Sequence, residues 1–327
     1  MKALVYTGPE TLDYRDVDAP RAEAGENLIK VESVGICGSD MHAYLGHDER
    51  RPAPLILGHE AAGTVTDGPL SGKRVTVNPL VTCGTCEACV EGRNNLCPTR
   101  QIISMPPREG GFAEQLRMPS SNLVELPGGF SFDKAALAEP LAVCWHGIKV
   151  AQHAAVRPFE KSRCLVIGGG AIGLGSALAL QGFGADDITL AETNPLRRAY
   201  LTGRFDGTVQ DSGDVTGLFD VVIDAAGFRA TREMASALTK PGGVICHIGL
   251  GDSNDGVDIR RATLQEITFV GTYAYTPQDF RDTVAAMIDG RLGDLDWVQF
   301  RDLSGGQQAF SDLHSAKIEA PKVILHP

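Results

Sequence analysis

Five side chains able to do chemistry sit in two short stretches. Cys37, Ser39 and His42 lie in Cys37-Gly-Ser-Asp-Met-His42, and His59 and Glu60 in Gly58-His-Glu-Ala-Ala-Gly63. Taken singly they are ordinary, since a cysteine is usually a small buried hydrophobe. Taken together, Cys37, His59 and Glu60 are the ligand types that zinc accepts when one position stays open for chemistry. A second group is Cys83, Cys86, Cys89 and Cys97, spaced C-x2-C-x2-C-x7-C. Four thiolates so placed can close a tetrahedron around zinc and leave no open position. An iron–sulfur cluster is the rival, but the bacterial ferredoxin run ends on a shorter gap. Four unrelated buried thiols rarely show such spacing.

A third group is built from glycine. Gly168-Gly-Gly170-Ala171-Ile172-Gly173 follows the apolar run Cys164-Leu-Val-Ile167 and opens an Ala/Leu-rich stretch. A second apolar run, Ile188-Thr-Leu-Ala191, ends in Glu192. Strand, glycines, helix, strand and acid in that register specify a dinucleotide site far better than the glycines alone. The glycines let a pyrophosphate approach the helix N-terminus, and Glu192 should accept from the ribose 2′-OH. That favours NAD over NADP, although Arg197 and Arg198 stand close enough to hold a 2′-phosphate. The turns at Ala225-Ala226-Gly227 and Gly249-Leu250, with Tyr273, are the expected nicotinamide-side contacts.

The elements that must position these groups fall into two textures. Up to about residue 145 the chain shows short strands and turns, such as Ala3–Tyr6 and Asn27–Val31, a β-rich region. Ser39-Asp40 should cap a short helix, and residues 46–54 read as an exposed loop at a cleft rim. Glu139 stands in the apolar helical run Ala135–His146, beside Pro140. A carboxylate there should face a cation or a polar cleft, unless the proline ends the helix and leaves it solvated. From Arg163 strands alternate with helices, which implies a parallel sheet with ligands at its carboxyl ends. His47, His146, His153 and His247 read as structural or loop residues.

The chain has 327 residues, enough for two cores. Its net charge of -11 argues against nucleic acid or anionic membrane as partner. No apolar run approaches a membrane span and the N-terminus reads as a strand, so the expected location is the cytoplasm.

With these pieces placed, the chain resembles the zinc-containing medium-chain dehydrogenase/reductase family over nearly its whole length. The carriers are the Cys37–His42 and Gly58–Glu60 stretches, the four-cysteine lobe, Gly111-Phe-Ala-Glu, Glu139-Pro-Leu and the Gly168–Gly173 loop. Glu-Pro-Leu is more similar to the polyol (sorbitol) and threonine dehydrogenase branch than to classical alcohol dehydrogenases. The resemblance implies an α/β fold: a GroES-like β-barrel catalytic domain, 1–146 and 292–327, with an inserted doubly wound Rossmann domain, 147–291. It implies two zinc ions per subunit. Cys37 and His59 would hold the catalytic one, with Glu60 a third ligand or a group just behind, and Glu139 binding directly or through water. Cys83, Cys86, Cys89 and Cys97 would hold the structural one. It further implies reversible, NAD-linked oxidation of a secondary alcohol, with Ser39 and His42 relaying the proton, in a homodimer or homotetramer. A polyol or sugar alcohol is the expected substrate, and an amino alcohol such as threonine the alternative. Arg50, Arg51 and Tyr44 would line the entrance. His42 also reads as a plain helix-surface residue. An inactive zinc- and NAD-binding sensor, or a zinc-free quinone reductase, fits less well, because the relay and both ligand sets are present. The segment Thr66–Val75 is shorter than the family's turn, with Lys73 where an Asp is usual.

Overall fold

The strand Glu26–Gly35 shows how the β-rich half is built. Ile29 and Val31 are buried while Lys30 is exposed and Glu32 half-buried, the two-residue period of a strand with one face on a core. Its antiparallel neighbour is Glu60–Asp67, in a register that sets Glu60 opposite Gly35. On the other side lies the C-terminal strand Lys322–His326, with Ile324 opposite Gly35. Two strands far apart in sequence therefore flank the chain segment that leads into Cys37.

The computed structural model describes residues 1–252 and 254–327. Contacts divide the chain into two units. The first comprises Met1–Glu139, Thr276–Val284 and Leu295–Pro327, and the second Pro140–Tyr275 and Ala285–Asp294.

In the first unit a seven-stranded sheet runs in the order Leu123–Glu125, Arg74–Val77, Glu60–Asp67, Glu26–Gly35, Lys322–His326, Val298–Asp302, and Gln115–Pro119 also pairs with Glu26–Gly35. A three-stranded sheet joins Thr11–Asp16, Lys2–Gly8 and Leu55–Ile56. The short pair Leu80–Val81 and Gln101–Ile102 brackets the four-cysteine loop. The abridged segment after Gly63 forms a tight turn, with Gly68 and Gly72 at positive φ and Val65 N–H bonded to the Lys73 carbonyl at 2.8 Å.

The second unit holds a six-stranded, wholly parallel sheet. Its order is Thr208–Gln210, Asp187–Ala191, Arg163–Ile167, Phe219–Asp224, Thr239–His247, Thr268–Gly271. Numbered within the unit this is 3-2-1-4-5-6, which reverses direction between Arg163–Ile167 and Phe219–Asp224. Ligands of such sheets bind at that reversal, outside the carboxyl ends. One of its cores packs Leu165, Ile167, Phe219, Val222, Ala235 and Ile245.

Three elements differ from the sequence reading. Helix Ala138–Ala154 runs through Pro140, because a proline in the first turn lacks only an N–H that has no helical partner there. Strand Thr11–Asp16 buries Leu12 alone and so gives no alternation to read. Helix Ile259–Leu264 lacks an apolar stripe and is held by Asp258, whose side chain caps the Arg261 N–H. Among the described residues no helix is long and apolar enough to cross a membrane.

Candidate active site

Cys37 is the N-cap of helix Gly38–Tyr44, and Asp40 in its first turn folds back to accept from the Cys37 N–H at 3.0 Å. The same buried carboxylate accepts from the Gly58 N–H at 3.2 Å and approaches His59 Nδ1 at 3.4 Å. One Asp thus fastens both motif stretches together. Ligand atoms of Cys37, His59 and Glu60 all lie within 4.8 Å of one another. Gly35 makes this possible, since a Cβ there would stand 2.0 Å from Glu60 Oε2.

The donor set fits a cation. Glu60 is fully buried, and its Oε1 accepts from Lys322 Nζ at 2.6 Å. Its Oε2 finds no hydrogen-bond partner, a costly state for a buried carboxylate oxygen unless a cation meets it. Burial alone would push the His59 imidazolium to deprotonate, yet Asp40 and Cys37 hold its pKa well above the ordinary value. Burial likewise works against a charged Lys322, but Glu60, Cys37 and Glu139 outweigh it and raise its pKa. Burial would raise the Asp40 carboxyl, and His59, Arg51 and the Cys37 N–H bring it below the usual range instead. Zinc with a neutral His59 ligand would supply the cation that Glu60 Oε2 lacks.

Ser39 Oγ lies 3.4 Å from His59 Nε2, and His42 stands exposed on the same short helix. Glu139 opens helix Ala138–Ala154, where its charge acts on Lys322; the gathered trio is Cys37, His59 and Glu60. The loop 46–54 is mostly exposed, but Arg51 is only 3% exposed and reaches Ser39, Asp48 and Ser104. Ser104 and Lys322 were not singled out from sequence, Asp40 was read only as part of a helix cap, and Arg51 only as lining the entrance. Asp40 lies inside the first motif and pairs with the second, a signal that was there to be used.

The four cysteines gather separately, with sulfurs of Cys83, Cys86, Cys89 and Cys97 within 4.8 Å. Cys83 lies 3.9 Å from Cys89 and 3.6 Å from Cys97. Zinc–sulfur bonds of about 2.3 Å at tetrahedral angles set sulfurs about 3.8 Å apart, so these spacings match a closed site. Hydrogen bonds from Thr85 and Cys86 pull Cys83 down to about 5, which readies a thiolate. At Cys86 the Cys89 N–H is a lowering influence, but desolvation and the neighbouring thiols push it up to about 11.

In the second unit the sequence candidates collect at the carboxyl ends of the sheet. Gly168 has φ +102, and Gly170 is the N-cap of helix Ala171–Gly182. A Cβ on Gly173 would lie 1.6 Å from the Gly168 carbonyl, so only glycine lets that helix start so close to the strand. Glu192 accepts from the Gly169 N–H at 2.8 Å and the Asn194 N–H at 2.7 Å, which holds the carboxylate at the glycine loop. Arg198 is committed to the Glu192 and Thr193 carbonyls and to Asp211, while Arg197 approaches Gly170. Ala225, Ala226 and Gly227 follow Asp224, and Gly249 and Leu250 follow the next strand. The two turns touch backbone to backbone: a Cβ on Gly227 would meet the Gly249 carbonyl at 2.2 Å. Leu250 is exposed and Tyr273 half-buried. His247, read as structural from sequence, places Nδ1 3.1 Å from the buried Asp224, which also accepts from the Gly227 N–H.

Comparison with known proteins agrees with this geometry. Residues 23–128 match the alcohol dehydrogenase GroES-like domain and residues 171–289 the zinc-binding dehydrogenase domain. L-galactonate-5-dehydrogenase of Escherichia coli K12 is 31% identical, across 89% of this chain and 88% of its own. Sorbitol dehydrogenase of Bacillus subtilis is 31% identical, across 100% and 97%. A crystal structure of an alcohol dehydrogenase from E. coli CFT073 with NADH superposes with a TM-score of 0.90 at 25% identity, covering 100% of this chain and 99% of that one. Relatedness of this extent, on a chain that gathers a zinc-type ligand set and a dinucleotide-type glycine loop, makes it a member of the zinc-containing medium-chain dehydrogenase/reductase family, in the polyol branch, and an oxidoreductase of alcohol groups.

Proposed function

We propose that the protein reversibly oxidises a secondary alcohol of a polyol to the ketone with NAD. The first unit carries the catalytic site and the second the nucleotide site. The observation that carries this reading is the convergence of Cys37, His59 and Glu60, with Glu60 Oε2 buried and unpartnered. When bound, zinc polarises the alcohol oxygen and the nicotinamide accepts the hydride. Cys37 and His59 hold the metal, and Glu60, tethered by Lys322, is its third partner. Glu139 supplies further negative charge nearby. Ser39 takes the substrate proton and His42 passes it to solvent. Cys83, Cys86, Cys89 and Cys97 hold a second, structural zinc.

Gly168, Gly170, Ala171, Ile172 and Gly173 receive the pyrophosphate, Glu192 the ribose, and Arg197 the adenosine end. The turns at Ala225–Gly227 and Gly249–Leu250, with Tyr273, take the nicotinamide side. Glu192 at the glycine loop supports NAD over NADP. Asp48 is shared by Arg50 and Arg51, two guanidiniums on one carboxylate. Guanidiniums in this loop suit a hydroxyl-rich substrate bearing an anionic group, such as the galactonate in the name of one relative. Edge strand Thr268–Gly271, with Phe269, Ile259 and Leu264 exposed beside it, supports pairing of two copies. Eight free cysteines suit a reducing, cytoplasmic setting.

The test is NADH formation from NAD with a panel of sorbitol, L-galactonate and L-threonine. Turnover of a hydroxy acid or polyol that stops on zinc removal supports the reading. Turnover that survives complete zinc removal, or none on any secondary alcohol, overturns it.

A further inference from the structure

Arg51 interrupts a loop that sequence reads as solvent-exposed. It is 3% exposed, and its guanidinium is distributed over three partners. Nε donates to the Ser104 carbonyl at 3.1 Å, and one terminal nitrogen donates to Asp48 at 2.6 Å and approaches the Ser39 carbonyl at 3.4 Å. The other terminal nitrogen lies 3.5 Å from Ser39 Oγ. Ser104 is itself unusual: it is fully buried and has φ +67, a backbone conformation that a non-glycine residue keeps only when its surroundings hold it there. Its Oγ stands 3.4 Å from His59 Nδ1, while Ser39 Oγ stands 3.4 Å from His59 Nε2. One buried guanidinium therefore ties together the two serines that flank both ring nitrogens of His59.

We propose that Arg51 is a positioning residue for proton transfer, holding the Ser39 hydroxyl in place as the relay and, through Ser104, the plane of the His59 ring. This rests on the alcohol-oxidation reading above. The argument is one of hydrogen-bond capacity. A serine hydroxyl has one proton to give and two lone pairs to receive with, whereas a guanidinium only donates. An Arg51 N–H directed at Ser39 Oγ occupies one lone pair. The other then receives the substrate's proton as the substrate O–H bond breaks, and Ser39 releases its own proton onward toward His42. The serine ends unchanged, and the electrons leave separately, as hydride to NAD. Contacts of this length in a ligand-free site commonly tighten when substrate binds.

The experiment compares zinc-loaded wild-type protein with Arg51→Met, Arg51→Lys and Ser104→Gly. Three readouts apply: kcat and KM for the best alcohol of the panel and for NAD, the solvent deuterium isotope effect on kcat, and the His59 ring-nitrogen NMR resonances of the metal-free protein. Arg51→Met should lower kcat roughly tenfold or more, leave the KM for NAD unchanged and raise the solvent isotope effect. Arg51→Lys, which keeps a donor cation without the fork, should recover part of the loss. His59 resonances should move in Arg51→Met and in Ser104→Gly, a variant whose backbone accepts φ +67 without strain. The inference is overturned if Arg51→Met keeps wild-type kcat. It is also overturned if the lost activity follows the folded fraction alone while the His59 resonances stay in place. Should wild-type protein oxidise no alcohol, the underlying reading fails by itself, and the resonances still decide whether Arg51 orients His59.

Discussion

The molecule holds two cysteine-bearing clusters built in opposite ways. The four-cysteine loop is local: its sulfurs come from one segment between two short strands, Cys83 is exposed, and their own spacing satisfies a tetrahedron. The Cys37–His59–Glu60 cluster is assembled from two segments that the pairing of Glu26–Gly35 with Glu60–Asp67 brings together, is largely buried, and leaves one carboxylate oxygen without a partner. A closed set of thiolates can only staple a loop, whereas a mixed set backed by Asp40 and Lys322 keeps a position for a substrate. We read the first as a cluster that stabilises and the second as a cluster that reacts.

Substitution at each cluster should separate these roles most widely. Cys37→Ser is expected to reduce turnover by at least about a thousandfold, the several kcal/mol that a Lewis acid supplies, with NAD binding intact by fluorescence titration. Cys97→Ser should instead lower the melting temperature and remove one zinc per chain, with turnover persisting below the melting range. Equal losses of turnover, with equal stability, would erase the contrast.

Lys322 sharpens it from the side of stability. Lys322→Met leaves Glu60 buried without its counter-charge and should cost about 3–5 kcal/mol in chemical denaturation, with Lys322→Arg recovering much of it. In the second unit, Glu192→Gln should weaken NAD binding roughly tenfold and NADP binding less, measured by titration.

The smallest effect concerns acid stability. Burial opposes ionisation of Asp48, but Arg50 and Arg51 hold its carboxyl down to about 2, against an ordinary 3.8. A group lowered in this way stabilises the fold fully above its unfolded value and loses that contribution as pH falls through its folded value. The stability gap between wild type and Asp48→Asn should therefore be constant near neutrality and close as the pH drops from 3.8 toward about 2. A gap unchanged across that window would remove Asp48 from the network.

Legibility in the sequence follows the same contrast. The cysteine loop, the Gly168–Gly173 turn and Glu192 were readable because their partners lie within one motif or one strand–helix–strand unit. Cys37, His59 and Glu60 were readable as ligand types, although their meeting depends on the register that sets Gly35 opposite Glu60. Lys322 could not be read, since its partner Glu60 lies 262 residues away and only the sheet pairing joins them. Arg51 was hidden by its neighbours: Asp48, Glu49, Arg50 and Pro52 make the segment look solvated, and burial of one arginine among them is decided by tertiary contacts with Ser39 and Ser104. Strand Thr11–Asp16 was missed for a related reason, as its pairing with Lys2–Gly8 rather than any apolar alternation creates it.

The central claim is that the mixed cluster binds a catalytic metal. An anomalous difference map at the zinc edge, from crystals of zinc-replete protein, tests it directly. The account predicts two peaks per chain, one inside Cys83–Cys86–Cys89–Cys97 and one bonded to Cys37 and His59. A single peak in the four-cysteine loop, with none at Cys37 and His59, would contradict it.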